Sequence, residues 1–273
     1  MTVYQKLFNK LSRLLLKKNP PKLIRFNSFE DALTSSKSNG YANIDLIAHV
    51  LKKNILFRDD IANNNQLTDQ AIRVMPALIA SFNITQFNVL DFGGGGGAHF
   101  NALRSILRMN KNILWCVVET EDMVLGAQQC GLENENLRFF STLKDAKACA
   151  GSFDLVFTSS ALQYCENPVE TLKQLISLRA KYIYITRTPF INGVENFITI
   201  QKSRLGDNGP GPNPGDFSEQ DVYYPITYLS KDYFLETLLE KYELRFEFKE
   251  SAGIMLIDGL AVEMPSFFAT IRE

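Results

Sequence analysis

The chain has 273 residues, 45% hydrophobic and 22% charged, with a formal net charge of −1 at pH 7. That composition suits a globular protein with one large domain, and the near-zero charge offers no overall field to a nucleic acid or another polyanion. The four cysteines, Cys116, Cys130, Cys149 and Cys165, form no CxxC pair and have no adjacent histidine, which predicts reduced thiols in a cytoplasmic protein rather than a disulfide frame or a metal site.

Residues 1–25 carry seven Lys and Arg and no acid. Tyr4, Leu7, Phe8, Leu11 and Leu15 recur at helical spacing, with Lys6, Lys10, Arg13 and Lys17 largely on other faces, until Pro20 and Pro21 end the pattern. Two readings stay open: residues 1–18 lie on an anionic membrane, at its inner face, or they pack on the body with the basic side in solvent. The apolar run Leu14–Leu16 is too short for a signal peptide, and no run approaches the ~20 residues of a membrane span. Further helices are predicted at "FEDALTSS", from Phe29, and within "GYANIDLIAHVLKKNILF", where Asn43 or Asp45 serves as cap. His49 has apolar neighbours in that second helix and reads as a core or interface residue. Residues 1–80 thus form a helical segment and cap.

From Asn88 the texture changes. Short β-rich runs alternate with helical ones: "NVLDF" then Ala98–Met109, "ILWCVVE" then Asp122–Cys130, "LRFF", "FDLVFTS" then Pro168–Leu178, and "YIYITR". This alternation predicts an α/β fold with a parallel sheet covered by helices on both faces, and the largely apolar strands agree with double-sided burial. After Arg187 the pattern is irregular. Gly206–Asp216, "GDNGPGPNPGD", is a loop by its glycines and prolines, flanked by "NFITIQ" and "VYYPITYLS" as a hairpin. A helix at Lys231–Lys241 and the β runs "YELRFEFKE" and "SFFATIRE" follow. Residues 81–273 read as one domain with a loop insertion near 190–228.

The strand "NVLDF" runs into five glycines, Gly93–Gly97, and then into a helix. Consecutive glycines weaken a fold unless the backbone needs them, and a helix N-terminus behind such a turn is an anion or nucleotide site. Gly93, Gly95 and Ala98 fit the dinucleotide pattern GxGxxG/A; Asp91, Gly93, Gly95 and Gly97 fit the DxGxGxG pattern of S-adenosylmethionine (SAM) enzymes. The acid two residues before the first glycine favours SAM, as does the lack of a clear second βαβαβ half for a nicotinamide. Glu119, at the end of the next strand, is placed to accept both hydroxyls of a ribose.

Asp91–Gly97, Glu119 and "FDLVFTSSALQY" resemble the successive motifs of the class I SAM-dependent methyltransferases. The resemblance covers residues 88–187 and implies a Rossmann-like seven-stranded sheet of order 3-2-1-4-5-7-6, last strand antiparallel. More narrowly, "FEDAL", "GYANIDLI", "LDFGGGGG", "WCVVET", "SSALQYCENP" and "ITRTPF" resemble a group of methyltransferases found with surface-polysaccharide biosynthesis genes. By this resemblance Gly93, Gly95 and Gly97 pass under the methionine part of SAM, and Asp91 organises the turn and faces the amino-acid end. Glu119 grips the ribose, Phe140 and Ser141 border the adenine, Ser159 and Ser160 floor the methyl group, and Tyr41 covers the cofactor.

A hydroxyl acceptor needs a group to take its proton. His99, in the first turn of the helix behind the glycines, is either that base or a contact of the methionine carboxylate. Arg187, ending the fifth strand, either clamps an anionic group of the acceptor during catalysis or bonds loop carbonyls. Ser160, Gln163, Tyr164 and Thr188 are candidate acceptor contacts, with loop 206–216 a lid over the same mouth. Serines stand where metal-dependent enzymes carry clustered acids, so no metal is expected. The reading is O-methylation of a sugar or other small polar acceptor, with no nucleic-acid partner. The alternatives are an NAD(P)-dependent oxidoreductase and a silent SAM-binding subunit.

Overall fold

The computed structural model describes residues 23–38, 40–64, 72–107, 112–193, 195–249, 255–257 and 259–273. The basic segment 1–18, its membrane reading and the Pro20–Pro21 stop lie outside the described residues. No helix among the described residues is long and apolar enough to cross a membrane.

The alternating runs fold as β1 (Gln86–Phe92), α4 (Ala98–Leu107), β2 (Asn112–Val118), α5 (Glu121–Gln129), β3 (Leu137–Phe140), α6 (Leu143–Ala150), β4 (Leu155–Ser159), α7 (Pro168–Ser177) and β5 (Tyr182–Thr186). Before them come α1 (Phe29–Ser36), α2 (Ile44–Asn64) and α3 (Met75–Ala80). After them come β6 (Phe190–Ile191), β7 (Phe197–Arg204), β8 (Asp221–Ser230), α8 (Lys231–Leu239), β9 (Tyr242–Lys249), β10 (Met255–Ile257), β11 (Leu260–Glu263) and β12 (Pro265–Ile271). Asn43 caps α2: its Oδ1 accepts from the backbone N–H of Asp45 at 2.9 Å and of Leu46 at 3.1 Å.

The main sheet has seven strands in the order β3-β2-β1-β4-β5-β12-β9. β1 to β5 are mutually parallel, and β12 is antiparallel to both its neighbours. Successive side chains point to opposite faces, so Val89, Phe157 and Tyr184 join one core with α2 to α5. Leu90, Val156, Ile183 and Ile185 join the other with α6 to α8. Burial on both sides is why the strands carry apolar runs without alternation.

The segment expected as a loop insertion near 190–228 is instead most of a second, five-stranded sheet, β10-β11-β6-β8-β7. β7 and β8 form the expected hairpin, paired from Phe197 opposite Tyr228 to Arg204 opposite Asp221. β6 then pairs in parallel with the end of β8, and β11 pairs with β6. Strands from 255–263 therefore complete a sheet begun at 190, a pairing that no local pattern announces. Because these strands intervene, the two that finish the main sheet are the ninth and twelfth in the chain. The segment before α1 joins the second sheet through a bridge from Phe26 to Ile198, and α1 packs on β7 and β8.

Candidate active site

The carboxyl ends of β1, β2, β4 and β5 open into a cavity of about 830 Å³. Its wall includes Tyr41, Gly93, Gly95, His99, Glu119, Ser159, Ser160, Tyr164 and Arg187. A smaller cavity of about 320 Å³ shares Tyr41, Gly93, Glu119, Ser160 and Tyr164 with it and adds Phe92, Val118, Thr120, Ser141 and Cys165. The five shared residues form a neck between the two spaces.

The glycine run turns out to answer mostly to the protein's own atoms. A Cβ on Gly93 would lie 2.1 Å from the Ala161 Cβ, on Gly94 2.5 Å from Asp91 Oδ2, on Gly96 2.7 Å from Asn54 and on Gly97 2.7 Å from Leu137. Gly95 differs: at φ +56° its missing Cβ meets nothing nearer than Val50 at 3.8 Å, on the cavity side. Four of the glycines are needed for close packing, and one leaves room above the backbone.

Glu119 ties the tip of β2 to this turn. Its Oε1 accepts from Gly95 N–H at 3.0 Å and its Oε2 from Thr120 N–H at 3.1 Å. Burial pushes its carboxyl above the usual glutamate range, partly offset by those two backbone donors. Each oxygen keeps a further lone pair for a hydroxyl donor.

Five of the expected contacts stand elsewhere. Asp91 does not face the cavity: it is fully buried under Gly94, with Oδ2 accepting from Trp115 Nε1–H at 2.9 Å and lying 3.1 Å from His99 Nδ1. Gly97 abuts Leu137 rather than a ligand. Phe140 packs into the core on the α6–α8 face, and Phe92 takes its expected place beside Ser141. Gln163 is buried and braces the strand ends, with Nε2 donating to Ser160 Oγ at 3.0 Å and to the Arg187 carbonyl at 3.2 Å. Thr188 is buried and off the cavity wall. Each of these lies one residue or one turn from the wall, and sequence position alone does not say which side of the backbone faces in.

The second sheet supplies a wall that sequence reasoning missed. Gln201, Lys202, Ser203 and Arg204 of β7 and Tyr224 of β8 line the larger cavity, joined there by Asp207 to Pro210 of the loop that the sequence does place at this mouth. Tyr164 donates to Gln201 Oε1 at 3.1 Å, and Tyr224 to Asn208 Oδ1 at 3.2 Å. The rings of Tyr41, Tyr164 and Tyr224 pack together with centroids 4.6 to 5.2 Å apart, roofing the neck. Burial pushes the Tyr164 phenol up to about 12, and raises Tyr41 well above the ordinary tyrosine value, so both are neutral donors and acceptors. The available signal was the alternation of "FITIQKSR" with "VYYPITYLS", which gives a hairpin but not the side it presents.

Loop 205–220 lies on α2 at the edge of this mouth. Lys53 Nζ donates to the Gly206 carbonyl at 2.7 Å, and a Cβ on Gly211 would lie 2.9 Å from Phe57. His49, buried on the same helix, packs its ring 4.7 Å from Phe217 of the loop.

No family model matches the chain, and no curated protein matches it. Solved structures do. An S-adenosylmethionine-dependent methyltransferase from Clostridium acetobutylicum ATCC 824 aligns over 81% of this chain and 98% of its own, with TM-score 0.50 and 11% identity. The fold is that of a SAM-dependent methyltransferase. The N-terminal domain of EvdMO1 with S-adenosylhomocysteine (SAH) bound aligns over 75% of this chain and 82% of that one, with TM-score 0.48 and 16% identity. Magnesium protoporphyrin IX methyltransferase from Synechocystis PCC 6803 with bound SAM aligns over 81% and 97%, with TM-score 0.45 and 15% identity.

Within this fold the residues present suit the cofactor. Asn54 Oδ1 and Ser159 Oγ are buried polar atoms without a partner among the described residues, and both side chains belong to the wall of the larger cavity. Unpaired buried acceptors beside an open glycine call for a polar ligand.

Proposed function

We propose that this chain is a SAM-dependent methyltransferase acting on a hydroxyl of a sugar or another small polar acceptor. The observation that carries the reading is Gly95: the one glycine of the run with open space above it lines the larger cavity, bonded to Glu119. Glu119 would hold the ribose hydroxyls, Ser141 and Phe92 would border the base, and Asn54 and Ser159 would meet the methionine end. Bound there, SAM supplies an activated methyl group. The remaining work of the chain is to position the acceptor, exclude water and take a proton. Gln201 and Ser203 offer an amide and a hydroxyl of the kind that recognise sugar hydroxyls, and Arg187 adds a cation at the end of β5. His99 would accept the proton of the hydroxyl.

Titration calorimetry with SAM, SAH and NAD tests the cofactor, with SAM and SAH expected to bind and NAD not. Labelled SAM offered to sugars and cell-envelope fractions tests the acceptor class. Binding of NAD in place of SAH would favour an oxidoreductase, and SAM binding without transfer to any acceptor would favour a silent subunit.

A further inference from the structure

Asp91 has no access to the cavity, because Gly94 closes over its carboxyl group. Its Oδ2 meets two groups, the Trp115 indole at 2.9 Å and His99 Nδ1 at 3.1 Å, while Oδ1 has no partner among the described residues. A buried carboxylate needs donors or an opposite charge to offset its lost hydration. If Nδ1 turned a lone pair to Oδ2, two acceptors would face each other and only the indole would remain. With Asp91 as a carboxylate the arrangement therefore requires a proton on His99 Nδ1, which leaves the lone pair of the neutral ring on Nε2. Phe157, edge-on at 4.7 Å, fixes the ring plane, and the histidine itself lies on the cavity wall.

We propose that Asp91 is a positioning residue that holds His99 in the Nδ1–H tautomer, so that Nε2 is presented to the acceptor as a proton acceptor. The inference rests on the methyl-transfer reading above and gives the motif acid a role through another side chain instead of through the cofactor. In the step it serves, Nε2 takes the hydroxyl proton as the new O–CH3 bond forms and the S–CH3 bond breaks, its electron pair leaving with sulfur. The imidazolium is held against Asp91 until its proton passes to water. The logic parallels the aspartate of a serine-protease triad, which fixes the tautomer of its histidine without touching substrate.

The chain has two histidines, His49 and His99, so ring nitrogens are readily assigned by nitrogen-15 NMR with a His99→Asn variant. The native protein should show a proton-bearing Nδ1 and a pyridine-like Nε2 for His99, the reverse of the tautomer favoured in free histidine. Asp91→Ala should return the ring to Nε2–H while SAH affinity changes less than about threefold. Trp115→Phe, which removes the competing donor together with part of a buried ring, should keep the native tautomer and guards against a misfolded Asp91 variant. An Nε2–H tautomer in the native protein overturns the inference. So does a loss of SAH affinity of about thirtyfold or more in a folded Asp91→Ala, which would make the acid part of the cofactor site. Failure of the parent reading shows separately, as a native protein that does not bind SAH.

Discussion

Two alanine substitutions two residues apart, at Gly93 and Gly95, should separate packing from ligand contact. At Gly95 an added Cβ meets only Val50 at 3.8 Å, an ordinary contact, so the folding penalty reduces to holding a non-glycine residue at φ +56°. That strain is about 1–2 kcal/mol. For a chain of this size it lowers Tm by roughly 2–8 °C. At Gly93 the same backbone strain applies at φ +71°, but the Cβ would stand 2.1 Å from the Ala161 Cβ, so the segment after β4 must move by more than an ångström. Adding about 1–3 kcal/mol of overpacking to the strain gives a total of about 2–5 kcal/mol. Thermal melts by circular dichroism read both numbers, and calorimetry with SAH reads binding. Gly95→Ala should stay folded and lose SAH affinity by tenfold or more, roughly 1.4 kcal/mol, because the methyl occupies the ligand's space. Gly93→Ala should show the larger loss of Tm. A Gly95→Ala protein that binds SAH like the native chain would refute the ligand role, leaving four glycines to internal packing and Gly95 to its φ of +56°.

Glu119→Ala should weaken SAH binding by about 1.5–3 kcal/mol, since a charged acceptor of two hydroxyls is lost; calorimetry measures it. Burial raises the Glu119 carboxyl, so it protonates on acidification before an ordinary glutamate would, and SAH affinity should fall with pH through that raised range. Glu119→Gln should flatten that pH dependence, and an unchanged slope would remove the carboxylate from the ligand site. Tyr164→Phe breaks the 3.1 Å bond to Gln201 and should destabilise the chain by about 1 kcal/mol, read as a shift in urea midpoint. Asn43→Ala removes the acceptor that caps α2 and should cost about 1 kcal/mol by the same measurement, with SAH affinity unaltered.

The αβα body was legible because its signals are local. A strand buried on both faces must be apolar throughout, as in "NVLDF" and "FDLVFTS", and a helix must follow each parallel strand to return the chain. The glycine run and Glu119 mark the ligand end of the sheet for the same reason: in a parallel sheet the carboxyl ends of successive strands lie together. Composition and spacing thus set the fold class and the neighbourhood of the site. They did not set which atoms enter it. Asp91 and Gln163 sit in the right motifs but point into the protein, because Gly94 and the ends of β4 and β5 close over them. The second sheet was hidden altogether as a sheet. Its strands come from 190–230 and 255–263, and pairing across that distance depends on where the main sheet delivers the chain, not on any run of residues. That placement alone brings Gln201, Asn208 and Tyr224 to the wall of the cavity that Gly93 to Gly95 also line, since side chains from separate segments meet only once both sheets are built.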